Sequence, residues 1–127
     1  MPHLRLEHTA NIGSDVDDSA LFADLHSVLH DVGKINKENC KARRYVAESF
    51  FIADGGDNEA FVHLDIRFVG GRSEDVKSRI GEQCLHVLKR AFDSSLQSHS
   101  VQITVEIRDI QLADYHKYPV GTLTKQP

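Results

Sequence analysis

Two stretches of this chain carry the same order of apolar patterns, 60 residues apart, and that repetition constrains the fold more than any other feature. Residues 3–8 alternate, with Leu4 and Leu6 on one side and His3, Arg5 and Glu7 on the other, the pattern of a half-buried strand. Ser14 then precedes Asp15, Asp17 and Asp18, an N-cap with acids in the first turn. Leu21, Leu25, Val28, Leu29 and Val32 follow at helical spacing, and Gly33 reads as the stop. A second strand is predicted from about Arg43 to Ile52, closed by the turn Asp54-Gly55-Gly56-Asp57.

The same sequence of signals then recurs. Val62, Leu64, Ile66 and Phe68 alternate as a strand, and Gly70-Gly71-Arg72-Ser73 leads into a helix with the stripe Val76, Ile80, Cys84, Val87, Leu88 and Ala91. Val101, Ile103, Val105 and Ile107 form the last strand, and from Gln111 the pattern turns irregular. The residues themselves rhyme: His3-Leu4-x-Leu6 with His63-Leu64-x-Ile66, and Leu25-His26 with Leu85-His86. Pro2 then corresponds to Val62. The chain reads as one α+β domain built from a tandem β-α-β repeat, residues 1–54 and 58–110, with an irregular tail over 111–127. Right-handed crossovers make the strands of each unit parallel and lay both helices on one face of a four-stranded sheet. The other face, with His3, Arg5, Glu7, His63, Asp65 and Arg67, meets water or lines an assembly.

A formal charge of -4 argues against a nucleic-acid surface, which needs clustered cations. No apolar run is long enough to span a membrane, and no signal-peptide pattern is seen, so a cytoplasmic protein is expected. Cys40 and Cys84 lack metal-like spacing, and Cys84 falls inside an apolar stripe as a packed core thiol. His26 and His30 stand four apart, a spacing able to bind a metal, but no acidic helper accompanies them and no metal site is expected. The glycines fit neither GxGxxG nor a phosphate loop, and no GxSxG frames a serine.

Three features point to chemistry. Arg72 follows two glycines at a helix start, where free N–H groups and the helix dipole already favour an anion and a guanidinium adds a bidentate grip on a carboxylate. Cys40-Lys41-Ala42-Arg43-Arg44 supplies three cations beside a strand start, which with Arg72 suit a substrate bearing more than one carboxylate. The opening Met1-Pro2 is the third. Methionine is usually trimmed before a small residue, which would leave Pro2 as a free secondary amine. An apolar pocket and neighbouring cations would lower its pKa toward the working range of a general base.

Met1-Pro2-His3, Ala53-Asp54-Gly55, Ala60-Phe61-Val62-His63 and Gly71-Arg72-Ser73, in that order, resemble the 5-carboxymethyl-2-hydroxymuconate delta-isomerase family of the tautomerase superfamily. The resemblance runs from Met1 to about residue 110. It implies a cofactor-free isomerase that shifts a proton on an unsaturated 2-hydroxy or 2-oxo dicarboxylic acid in bacterial breakdown of homoprotocatechuate. It implies a homotrimer, Pro2 as the base, and Arg72 as a carboxylate ligand. Lys41 stands where the family typically has a second arginine, with Arg43 two residues on as a possible substitute. The tail, including Tyr115-His116-Lys117-Tyr118-Pro119, matches poorly. Two other readings remain at this point: a non-catalytic βαββαβ module that binds a small ligand, and a different tautomerase reaction on a related acid.

Overall fold

The structure is a computed structural model, and it describes residues 1–119. Its elements run β1 (His3–Thr9), α1 (Asp18–Gly33), β2 (Lys41–Ala47), β3 (Glu59–Val69), α2 (Glu74–Ala91), α3 (Asp93–Ser98) and β4 (Ser100–Ile110). Short 3-10 turns cover Lys37–Asn39 and Leu112–Asp114. The sheet order is β2-β1-β3-β4, with β1 parallel to β2, β3 parallel to β4, and β1 antiparallel to β3 at the centre.

The register carries the repeat into three dimensions. His3 pairs with Arg67 across the central strands, and moving both by the 60-residue spacing gives His63 with Glu7, itself a pair. The central pairing thus maps onto itself, which places a pseudo-twofold between β1 and β3. The halves differ in one respect. Helix α3 follows α2 directly, whereas the first unit has only the turn at Lys37–Asn39 in the corresponding place.

Alternation then divides the side chains. Leu4, Leu6, Val62, Leu64, Ile66 and Phe68 face the helices and are almost fully buried. The predicted stripe of α1 packs onto them through Leu21, Leu25, Val28, Leu29 and Val32, and that of α2 through Ile80, Cys84, Val87 and Leu88. Burial pushes the Cys84 thiol up to about 12, so it stays protonated as a small core side chain.

Three local expectations are corrected. Asp17, not Ser14, caps α1: its carboxylate accepts from the Ser19 amide at 3.0 Å. The cause is Arg44, which lies on the helix side of β2 and donates to the carbonyls of Gly13 (3.1 Å) and Val16 (3.0 Å) while pairing with Asp18. That holds residues 13–16 as a loop. Arg44→Ala is expected to lower unfolding free energy by about 3 kcal/mol, because several acceptors lose a charged donor at once; urea denaturation measures it. Next, β2 begins at Lys41 and stops at Ala47, since β1 ends at its partner Thr9 and offers nothing further to pair with. Finally, α3 and the turn at Leu112–Asp114 were not foreseen. The last residues of the predicted irregular tail, 120–127, lie outside the described residues.

Candidate active site

Parallel and antiparallel pairing bring four chain segments to one end of the sheet: the starts of β1 and β2 and the ends of β3 and β4. Pro2 stands there, buried, with its carbonyl accepting the Lys41 amide at 3.1 Å. Met1 is attached and its side chain is buried, so the Pro2 nitrogen in this form is an amide and holds no proton-accepting lone pair. The amine is that of Met1. Its pKa is lowered to about 5, first by burial, then by a hydrogen bond and charge repulsion from Lys41 and by Lys117, with Cys40 opposing slightly. Burial pushes the Cys40 thiol up to about 11.

Arg72 comes to the same end by a different route. Gly71 adopts φ 123°, a conformation that L side chains rarely enter, and turns the chain out of β3 just before Ser73 caps α2. Stepping the His3–Arg67 register by one sets Pro2 opposite Phe68, and the Arg72 guanidinium lies 5.1 Å from the Phe68 ring centroid. Arg72 Nε donates to the Gly33 carbonyl at the end of α1 (2.9 Å) and Nη1 to the Val69 carbonyl (3.3 Å). Its Nη2 is enclosed without a partner among the described residues. Burial moves the guanidinium below the usual arginine range. An enclosed, unmatched donor on a cation is what a carboxylate would satisfy.

The basic segment divides. Lys41 and Arg43 pair with His3 and Arg5 and share their face, which alternation allowed only if residue 41 was already extended. Lys41 Nζ donates to the Asn39 carbonyl at 3.0 Å. Arg44 points the other way, into the loop clamp described above. Two of the three cations therefore reach the site. His26 and His30 do not: His30 Nδ1 lies 3.1 Å from the Ile35 carbonyl, on the far side of α1 from the leucine stripe. Among the described residues no group of three or more His, Cys, Asp or Glu is arranged to hold a metal.

The open sheet face is not flat. A cavity of about 430 Å³ lies between it and the segment after β4, lined by His3, Arg5, Arg43, Asp65, Arg67 and Tyr115 among others. His3 Nε2 is 2.8 Å from the Tyr115 hydroxyl, and Arg43 Nη2 is 3.0 Å from His3 Nδ1. Asp65, almost buried, balances Arg67 (3.2 Å) and Arg108 (3.0 Å). His3 and Tyr115 were not among the expected site residues. The polar alternation of β1 could have marked His3; nothing in the local pattern marks Tyr115.

Comparison with known proteins converges on one family. The family model for 5-carboxymethyl-2-hydroxymuconate isomerase matches residues 2–121. A 5-carboxymethyl-2-hydroxymuconate Delta-isomerase of Escherichia coli is 26% identical over 110 residues, covering 87% of each chain. The crystal structure of a 5-carboxymethyl-2-hydroxymuconate isomerase from Deinococcus radiodurans R1 superposes with a TM-score of 0.82 at 30% identity, over 91% of this chain and 87% of that one. A fused 4-OT, described as a symmetric trimer, shares the tautomerase fold with a TM-score of 0.70 at 14% identity, covering 91% of each chain.

Proposed function

Because the chain belongs to the 5-carboxymethyl-2-hydroxymuconate isomerase family, and is thus an isomerase, we propose that it shifts a proton on an unsaturated 2-hydroxy or 2-oxo dicarboxylic acid of that type. Pro2, freed by removal of Met1, is the general base. The observation that carries this reading is the meeting of the chain's start with the open Nη2 of Arg72 at one end of the sheet. Burial and Lys41 already hold the terminal amine near 5, so an amine in this neighbourhood is neutral and basic at pH 7. It takes a proton from the substrate and returns the same proton further along the conjugated system. The charge that spreads over the dienolate and its carboxylates meanwhile faces Arg72 and Lys41, which stabilise it in a partly water-free site. Arg43 supports the second carboxylate from the same sheet face as Lys41. The proton shift balances with a base and these cations, and the reading invokes no cofactor.

Pathway and location follow the family resemblance: aromatic catabolism, in the cytoplasm. Among the described residues no helix is long and apolar enough to cross a membrane. Assembly is expected as a homotrimer. Both β2 and β4 are open sheet edges, and Tyr45, Val46 and Phe51 are exposed on and after β2. The fused 4-OT neighbour is itself a symmetric trimer. Sedimentation at micromolar concentration should give three times the chain mass, and a monomer would count against the site. Lys41 favours a second reading, a related tautomerase reaction such as hydration, because an ammonium lacks the bidentate fork of arginine.

The deciding experiment uses intact mass and an uncleavable N-terminal extension. The trimmed protein should lack Met1 and ketonise a 2-hydroxydienoate, whereas the extended form binds the acid without turning it over. Equal turnover by both forms refutes an amino-terminal base.

A further inference from the structure

The hydrogen bonds around His3 fix more than its place. A guanidinium only donates, so at 3.0 Å from Arg43 Nη2 the Nδ1 of His3 must accept. The ring proton is then on Nε2, which donates to the Tyr115 hydroxyl oxygen at 2.8 Å. The Tyr115 ring meets the imidazole edge to face, with centroids 6.0 Å apart. One neutral tautomer satisfies both partners, and neither the other tautomer nor the cation does. His3 is also the residue next to Pro2, in β1, while Arg43 belongs to β2 and Tyr115 to the segment after β4.

We propose that His3 is a positioning residue for the amino-terminal base: as the Nε2–H tautomer held between Arg43 and Tyr115, it ties the segment after β4 across the start of β1 and fixes the nitrogen of Pro2 relative to Arg72. This rests on the isomerase reading above and extends it to a residue that touches neither proton nor substrate. The groups facing His3 are Arg5 on its own strand, Lys41 and Arg43 on β2, Asp65 and Arg67 on β3, and Asp114 and Tyr115 after β4. The terminal amine and Lys117 complete the set. Cations dominate. Burial first, then the amine, Arg43, Lys41 and Arg67, hold the imidazole below its ordinary range, which keeps it neutral at pH 7. Acid breaks the tie, because a protonated Nδ1 turns a donor toward a donor.

The test compares His3→Gln, His3→Phe and Tyr115→Phe in the trimmed enzyme. Glutamine offers one acceptor and one donor and does not titrate; phenylalanine offers a ring and nothing polar. His3→Phe and Tyr115→Phe should each lose about 10-fold in kcat with KM nearly unchanged, as a slightly misplaced base would. His3→Gln should recover most of that loss and hold its activity further into acid than the wild type. Long-range proton–nitrogen NMR of the wild type should show His3 Nδ1 unprotonated and Nε2 protonated at pH 7.

The inference is overturned if His3→Gln falls as far as His3→Phe, if both phenylalanine variants keep wild-type kcat, or if the spectrum shows the other tautomer or the cation. The NMR readout needs no activity. Wild-type activity indifferent to Pro2 would instead sink the isomerase reading, so the two failures are told apart.

Discussion

Pro2→Ala should lower kcat for ketonisation by about 100-fold or more while leaving KM within a few-fold, the range expected when a positioned general base is lost. Alanine, like proline, permits methionine removal, so the variant still begins with an amine in the same buried corner. What it loses is the ring that fixes the lone pair, and the replacement is a freely turning primary amine. The pH profile of the unmodified enzyme gives an independent check. The active form of the base is neutral, so kcat/KM should be constant at neutral pH and fall as the pH drops through the lowered pKa, which for the terminal amine at this position is about 5. An acid limb in the ordinary α-amino range, near 8, would mean that the desolvated corner is not where the base works.

The second large effect is expected at Arg72. Arg72→Ala removes a charge-assisted contact worth about 1.5–3 kcal/mol to a carboxylate, or roughly 10- to 100-fold in kcat/KM, with most of it in KM. The same substitution also strips the Gly33 and Val69 carbonyls of their donor, so the melting temperature should fall as well. Arg72→Lys separates the two effects. It keeps a cation near the substrate but cannot bridge both carbonyls, so it should recover part of the affinity and little of the stability. Equal KM for the alanine variant and the parent would show that Arg72 is only a strut between α1 and β3.

The repeat was legible because strands and helices of this kind bury one face, and burial writes its period into the sequence. Leu4, Leu6, Leu64 and Ile66 announce the sheet, and Leu21 to Val32 announce the helix upon it. Where side chains compete over distance, the local pattern misled. Ser14 looked like a cap, but Arg44, about thirty residues away, takes over that loop and leaves the capping to Asp17. Arg72 was legible as an anion-holding group from its glycines and helix start, yet its anchoring to Gly33 was not, since that contact joins two units of the repeat. Tyr115 had no signal at all. It sits in a segment with no period, and its partner lies at the other end of the chain.

The pseudo-twofold between β1 and β3 has a consequence for how such a chain can evolve. Duplication made two geometrically equivalent ends of the sheet, but a polypeptide has only one amino terminus. The counterpart of Pro2 is Val62, whose nitrogen is locked in a peptide bond, and the neighbouring His63 meets Thr104 and Glu106 rather than an arginine and a tyrosine. Chemistry that needs a free amine is therefore haploid in a molecule that is otherwise diploid. The second copy was released from that selection and left to diverge as scaffold. A circular permutant opened before Val62 would restore the missing terminus, and would ask whether the silent half still remembers its trade.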